Sequence, residues 1–148
     1  MSKYPRIGVA VADGARALIL ATTDRHNFEL IDTMASDDAH VRTHDLVSDR
    51  PGRSIESHGG AHHAIEARHD PHELEKQAFL RSVADRLGRA ATAFDRVVIV
   101  APPHQLGQLR TYLDEPLRRK VTEEVGKDWL KLPSAELYER IAALLQPH

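Results

Sequence analysis

The side chains best suited to chemistry lie in a polar segment in the first half of the sequence. Asp49-Arg50-Pro51-Gly52-Arg53-Ser54 places two guanidinium groups and a hydroxyl around a turn, and arginine pairs suit bidentate contacts to phosphate. An arginine that clasps Asp49 or a sheet edge is the structural alternative, and it stays open. The stretch from Asp49 to Asp70 contains three arginines and four acids, so it becomes positive only if its histidines are protonated.

Histidines in the same segment raise the question of a metal or hydrolytic site. His58, His62 and His63 lie within six positions, and His40 and His44 are four apart. Imidazole suits Zn²⁺, Cu²⁺ or Ni²⁺, but no carboxylate stands at a recognised metal spacing and no helix is indicated at 40–44. We therefore predict solvated histidines, no metal and no cofactor. His62 or His63 as the base of a hydrolase is the less favoured alternative.

Composition limits the classes of protein that the chain can be. It has 148 residues, 41% of them hydrophobic, which predicts a single α/β domain over 1–148 with a long polar loop at about 35–69. With 20 Lys and Arg against 22 Asp and Glu, any RNA or phosphate contact must come from a local patch. The absence of cysteine excludes disulfides and thiolate zinc sites. No apolar run suits a signal peptide or membrane span, so we expect a cytoplasmic protein.

The first part of the sequence predicts three short strands. Ile7 to Ala12 carries no charge on either alternating face, which is typical of a central strand covered on both sides. Asp13-Gly14 is a tight-turn dipeptide, and Ala15 to Thr22 is a second apolar run, so the two form a hairpin. Phe28 to Met34 follows after a polar turn. Short connections between three strands favour an antiparallel meander.

The second half of the sequence alternates helix and strand. Asp70-Pro71-His72-Glu73 is typical of a helix start, and apolar residues follow it at helical spacing. Arg96 to Ala101 reads as a buried parallel strand that ends at Pro102-Pro103, where a further helix opens. Lys120 to Val125 indicates another strand despite its internal Glu123-Glu124, and a last helix begins at Pro133-Ser134.

The order βββαβαβα is the connectivity of a ribonuclease-H-like mixed sheet. Right-handed crossovers place the fourth strand parallel to the first, so the carboxyl ends of strands one, four and five share one edge. Asp13, the turn at 102–107 with His104, and Gly126-Lys127-Asp128 would converge there, where ligands of open α/β sheets bind. The helix after Pro103 also presents backbone N–H groups beside His104. Gly107 is expected to allow close packing on the sheet.

Four stretches of the sequence, in this order along the chain, form a recognisable pattern. They are residues 11–17, residues 49–54, Ala101-Pro102-Pro103 with Leu106, Gly107, Leu109 and Arg110, and Lys127-Asp128. With them the sequence resembles the bacterial host attachment proteins, which are also described as a bacterial branch of the archaeo-eukaryotic release-factor superfamily. The resemblance implies a fold like the release-factor middle domain, and it points to either the ribosome or host attachment.

The same resemblance gives a meaning to a glycine pair ahead of the long helix. In class-one release factors a Gly-Gly-Gln loop reaches the peptidyl-tRNA ester from a comparable place. Here Gly59-Gly60 is followed by Ala61, which lacks the amide that would position water. A flexible turn and a loop shaped to enter an RNA-lined cleft both account for the pair.

A two-metal nuclease is disfavoured because the necessary carboxylates are missing. Asp13 would supply one at the end of the first strand, but the fourth strand ends in Ala101-Pro102-Pro103 and Asp95 lies at its wrong end. We therefore expect Asp13 to serve the hairpin turn.

Taken together, these features favour a non-catalytic RNA- or ribosome-associated module over an enzyme. The predicted contact residues are Asp13, Asp49, Arg50, Arg53, Ser54, His58, Gly59, Gly60, His104, Gly107, Arg110, Lys127 and Asp128. An interaction protein in host attachment is the alternative, with a protein as its partner. A homodimer through edge strands and Trp129 is left open.

Overall fold

The computed structural model describes residues 5–36 and 71–146, which form one mixed sheet with helices on both faces. The polar segment at 37–70 lies outside the described residues. Two 3₁₀ turns, Ala91–Ala93 and Trp129–Lys131, join the regular elements. The strands are β1 (Ile7–Ala12), β2 (Arg16–Thr22), β3 (Glu29–Ala35), β4 (Arg96–Ala101) and β5 (Val121–Gly126). The helices are α1 (Pro71–Ala90), α2 (Pro103–Tyr112), α3 (Glu115–Lys120) and α4 (Ser134–Leu145).

The strand order is β3-β2-β1-β4-β5, and it confirms the mixed sheet that the sequence predicted. β1 pairs antiparallel with β2, and β2 antiparallel with β3, as a meander requires. β1 pairs in parallel with β4, and β4 with β5. A parallel pair needs a long crossover, so α1 must cross the sheet between β3 and β4.

β1 is the central strand, and every one of its residues is buried. Ile7, Val9 and Val11 face the cluster that α4 covers through Leu137 and Ile141. Ala10 and Ala12 face the opposite cluster, which α1, α2 and α3 cover. Both faces of β1 lack charged residues because helices pack on both sides of the sheet, as the sequence predicted.

α1 begins at Pro71, where the sequence predicts a helix start, and it supplies the largest part of one core face. Leu80, Val83 and Leu87 are wholly buried, at the spacing that one helical face requires. Leu109 of α2 and Leu117 of α3 are buried in the same cluster. The helical layer thus rests on the sheet through aliphatic side chains from three elements.

α3 is an element that the sequence analysis did not predict. Its start is local: the Asp114 carboxylate accepts the N–H of Leu117 at 2.9 Å, and proline stands in the first turn. At its end, Lys120 Nζ donates to the carbonyl oxygen of Ala91 at 2.7 Å. β5 consequently begins at Val121, one residue after the predicted start, and β3 also runs one residue later than predicted at both ends.

Gly8 of β1 is a position where the core leaves no room for a side chain. A Cβ built on Gly8 would lie 2.2 Å from Cδ2 of Phe94, whose side chain is itself buried. We expect Gly8→Ala to lower the free energy of unfolding by roughly 1–3 kcal/mol, because the ring and backbone must shift to admit the methyl group. Urea denaturation monitored by circular dichroism measures the change.

Gly107 in the middle of α2 provides the matched control. A Cβ there would come within 4 Å of no described atom. Alanine also favours a helix interior over glycine, so Gly107→Ala should raise the free energy of unfolding by roughly 0.5–1 kcal/mol. Equal midpoints for the wild type and Gly8→Ala would contradict the packing described for Phe94.

Candidate functional site

The parallel strands bring three chain segments to one edge of the sheet. Val11 of β1 pairs with Val100 of β4, and Ala101 pairs with Gly126 of β5. The residues that follow these strands, 13–14, 102–104 and 127–128, therefore leave the sheet side by side. We call this edge, together with the side chains of α1 and α2 that border it, the carboxyl rim.

The Asp13 carboxylate forms hydrogen bonds within the hairpin turn between β1 and β2. Its Oδ1 accepts the N–H groups of Ala15 and Arg16, each at 2.8 Å, and its own N–H donates to the Arg16 carbonyl at 2.9 Å. Arg16 Nη2 lies 3.7 Å from Oδ2. Asp13 therefore stabilises the hairpin turn, as the sequence indicated.

The same turn brings α1 to the carboxyl rim. A Cβ on Gly14 would lie 3.1 Å from Cγ and Cδ of Lys76, so the lysine stem runs along the turn. Lys76 makes no ion pair within 4.0 Å to any carboxylate that the structure describes. The rim thus gains a cation that sequence reasoning did not include.

Three polar side chains from α1 and α2 meet on the carboxyl rim. Gln108 Nε2 donates to Glu73 Oε2 at 2.9 Å, and His104 Nε2 lies 3.6 Å from the same oxygen. The hydrogen bond from Gln108, and then His104, holds the pKa of Glu73 below its ordinary value. His104 remains mostly exposed, with 68% of its side-chain surface open to solvent.

Gln108 leaves one acceptor unused in this cluster. Its Oε1 is buried and has no hydrogen-bond partner within residues 5–36 and 71–146. A buried acceptor without a donor is costly, so this oxygen lowers the stability of the cluster. The accessible groups that the cluster can offer to a ligand are the Glu73 carboxylate and the His104 imidazole.

Sequence reasoning found His104 but missed Glu73 and Gln108 as site residues. In the sequence Glu73 indicates only the start of α1, and Gln108 is not among the predicted contact residues. His104 and Gln108 are four positions apart on α2, and that spacing places them on one helix face. This spacing was visible in the sequence, whereas the contact with Glu73 depends on how α1 packs against α2.

Arg110 is engaged in an ion pair away from this cluster. Its Nε lies 2.9 Å from Glu124 Oε1, and its Nη2 donates to the same oxygen. Hydrogen bonding to Glu124 raises the pKa of Arg110. The pair also explains how β5 accommodates an acidic residue, since Glu124 joins the surface of α2. Any ligand that uses Arg110 must compete with this carboxylate.

The other predicted contact residues fall into three groups. Lys127 and Asp128 follow β5 on the carboxyl rim, with Lys127 exposed. The close packing expected at Gly107 is not found, because a Cβ there would meet no described atom. Outside the described residues lie Asp49, Arg50, Arg53, Ser54, His58, Gly59, Gly60, His62 and His63. The roles given to them stay predictions.

Trp129 belongs to the core instead of the carboxyl rim. It is partly buried and packs against the cluster beneath α4 that contains Leu137 and Ile141. This packing agrees with the interpretation that a lone tryptophan fills a core or an interface.

The described residues also bear on metal binding and membrane insertion. Across 5–36 and 71–146, no three His, Asp or Glu side chains are grouped so that they could hold a metal ion. Among the helices in those ranges, none has the length and apolar content needed to span a bilayer.

The family can now be assigned. The model of the family described as "Protein required for attachment to host cells" matches residues 8–141. The chain belongs to this family. The match confirms the family resemblance that the motifs carried, and it runs from the second residue of β1 into α4. No functionally curated protein matches the sequence.

This attachment-family chain shares its fold with a translation factor. The crystal structure of an archaeal translation termination factor is similar with a TM-score of 0.50 and 13% sequence identity. The match covers 94% of this chain and 39% of that one, so the chain spans about two-fifths of the factor's length. At this identity the likeness shows the fold alone.

Removing the hydrogen-bond partners of Glu73 should measurably raise the pKa of its carboxyl group. Replacing Gln108 with leucine should raise the pKa of Glu73 toward its ordinary value, because the largest cause of the lowering is removed. His104→Ala should raise it less. Carbon-detected NMR of the Glu73 carboxyl group during an acid titration measures both shifts.

The stability of the protein should depend on pH in the direction that the lowered pKa of Glu73 requires. A carboxyl whose pKa is lowered on folding stabilises the fold above its ordinary pKa, and that contribution is lost as the pH falls through the folded value. The unfolding free energy of the wild type should therefore rise relative to Gln108→Leu as the pH increases from about 3 to 6. An unchanged Glu73 titration in Gln108→Leu would show that the hydrogen bond does not form in solution.

Proposed function

We propose that the chain is a non-catalytic RNA- or ribosome-associated module, built like the middle domain of peptide-release factors. The observation that carries this proposal is the fold likeness to a translation termination factor, which extends over 94% of the chain. The likeness is not confined to a few elements of this chain, because it covers 94% of its residues. Relationship to the release-factor superfamily is part of the same proposal.

The proposed contact surface is the carboxyl rim. Lys76 and Lys127 stand there, and neither lies within 4.0 Å of a described carboxylate, although the charge of Lys76 helps to lower the pKa of Glu73. Uncommitted cations can replace the counterions of a phosphate backbone, which costs less than breaking an existing ion pair. Glu73 and Asp128 on the same rim oppose an anion, so binding should be weak and sensitive to salt.

A non-catalytic role is supported by what stands at the glycine pair. Ala61 follows Gly59-Gly60 where release factors carry glutamine, so the amide that positions water is absent. The chain also spans 39% of the similar factor. We therefore propose that it contacts RNA or the ribosome without hydrolysing peptidyl-tRNA and without ending translation unaided. Arg50 and Arg53 are proposed as additional phosphate contacts.

The family description favours a second candidate, an interaction protein in host attachment. The match over residues 8–141 includes every described strand except the first residue of β1. In this reading the same surface binds a protein partner. Detection of the native protein outside intact cells would favour attachment, whereas co-purification with ribosomes would favour the first proposal.

Ribosome sedimentation tests the first proposal directly. The purified protein should sediment with ribosomes at about 50 mM salt and dissociate at a few hundred millimolar, because phosphate contacts release counterions. Lys76→Ala combined with Lys127→Ala should weaken binding and reduce the steepness of the salt dependence by roughly one to two.

A charge-matched control separates the surface from net charge. Arg119→Ala combined with Arg140→Ala removes the same two charges from α3, which precedes the amino end of β5, and from α4. It should leave binding close to that of the wild type. Equal losses in both double variants would refute the carboxyl rim as the contact surface, and no binding to ribosomes or structured RNA at low salt would refute the function.

A further inference from the structure

A concave site lies at the opposite end of the sheet from the carboxyl rim. It is a cavity of about 240 Å³ at the amino ends of the parallel strands. Ile7 and Arg96, the first residues of β1 and β4, line it together with Leu144 and Leu145 from the end of α4. This volume lies below the ~300–1,000 Å³ usual for drug-sized ligands, so a small molecule would fit.

Two arginines line this cavity without an ion-pair partner among the residues that the structure describes. Arg25 and Arg96 both border it, and neither guanidinium forms an ion pair or hydrogen bond with any residue in 5–36 or 71–146. The Nε of Arg25 is also buried and lacks an acceptor there. A buried N–H without an acceptor is unfavourable, so Arg25 is held beside the cavity at a cost. Arg96 is exposed and therefore open to an incoming anion.

The backbone of Arg25 adopts a conformation that costs free energy for any residue other than glycine. Its φ of 68° lies in the left-handed region, where glycine or asparagine is preferred. The turn is fixed because Asp24 Oδ1 accepts the N–H groups of His26 at 2.9 Å and Asn27 at 2.8 Å. Arg25 N–H donates to Thr22 Oγ1 at 2.9 Å. An arginine in this position is explained if its guanidinium gains a partner in the cavity.

The remaining walls define the chemistry of the ligand. Ile7, Val98, Leu144 and Leu145 supply an apolar surface, whereas Glu123 brings a carboxylate to the same cavity. The geometry of a guanidinium group suits carboxylate and phosphate alike. The negative charge of Glu123 repels a dianion more strongly than a monoanion, so it favours a singly charged ligand. An apolar wall further favours a ligand with a hydrocarbon part.

We infer that this cavity binds a small monocarboxylate, whose carboxylate is held by Arg25 and Arg96 and whose hydrocarbon part lies against Leu144 and Leu145. Because the cavity and the carboxyl rim lie at opposite ends of the parallel strands, the inference does not depend on the proposed function. It assigns the protein a small-molecule site in addition to its macromolecular surface.

NMR titration of the full chain tests the ligand class with three probes. Hexanoate should bind saturably and shift the side-chain Nε–H resonances of Arg25 and Arg96. Hexanamide, which has the same shape without the charge, should bind at least about tenfold more weakly. Inorganic phosphate should also bind more weakly than hexanoate, because Glu123 opposes it and the apolar wall gains nothing.

Three variants assign the binding to named residues. Arg25→Gly suits the positive φ, so the fold should be retained while hexanoate affinity falls by about tenfold or more. Arg96→Gln should also weaken binding. Glu123→Gln should strengthen it several-fold, because a like charge is removed from the cavity. Arg140→Gln, on the surface of α4 and paired with Glu136, should leave the affinity unchanged.

Each outcome decides the inference. Equal affinities for hexanoate and hexanamide, or unchanged binding in Arg25→Gly, would overturn it. Tighter binding of phosphate than of hexanoate would show that the ligand class is wrong. Absence of binding to the wild type at tens of millimolar hexanoate would show that the cavity takes no such ligand.

Discussion

The parallel pairing of β1 with β4 is the constraint on which the rest of the structure depends. The register runs from Ile7 beside Arg96 to Val11 beside Val100, and it joins segments almost ninety positions apart in the sequence. Because these strands point the same way, their carboxyl ends share one edge and their amino ends share the other. Both candidate surfaces exist only because of this pairing.

The two faces of β1 differ in a way that sets the distance of the helices. Gly8, Ala10 and Ala12 face α1, whereas Ile7 and Val9 lie on the face toward α4. Small strand residues let a helix layer approach closely, and the volume is then filled by larger side chains from the helices and by the ring of Phe94. This close approach carries the first turns of α1 onto the carboxyl rim, where Lys76 and Glu73 meet the ends of β1 and α2.

The parts of the fold that the sequence could predict are those dictated by local apolar pattern. β1, β2 and β4 have uninterrupted apolar runs, and α1 has both a start motif and one buried face, so each was identified close to its bounds. α3 was missed because its polar turn carries only Leu117 as a buried residue, and no periodicity can be read from one residue. Bounds shifted by one residue in β3 and β5 reflect hydrogen-bond partners on neighbouring strands.

The candidate site was less predictable, because its contacts join elements whose packing the sequence does not encode locally. His104 could be placed at the rim from connectivity alone. Its proximity to Glu73 depends on the packing of α1 against α2. Arg110 shows the converse case: it belongs to the family motif, but its pairing with Glu124 depends on the register of β5 beside β4.

The near-neutral composition does not show which of the described cationic side chains lack an ion-pair partner. Arg86 pairs with Asp32, Arg110 with Glu124, and Arg140 with Glu136, so these charges are balanced within the fold. Lys76 and Lys127 at one end of the parallel strands, and the two arginines of the amino-end cavity at the other, have no such partners among the described residues. The affinity of a surface for anions depends on uncommitted charge and local geometry, because each existing ion pair must be broken before it can serve a ligand. A formal net charge of -2 therefore does not argue against anionic ligands at either end of the sheet.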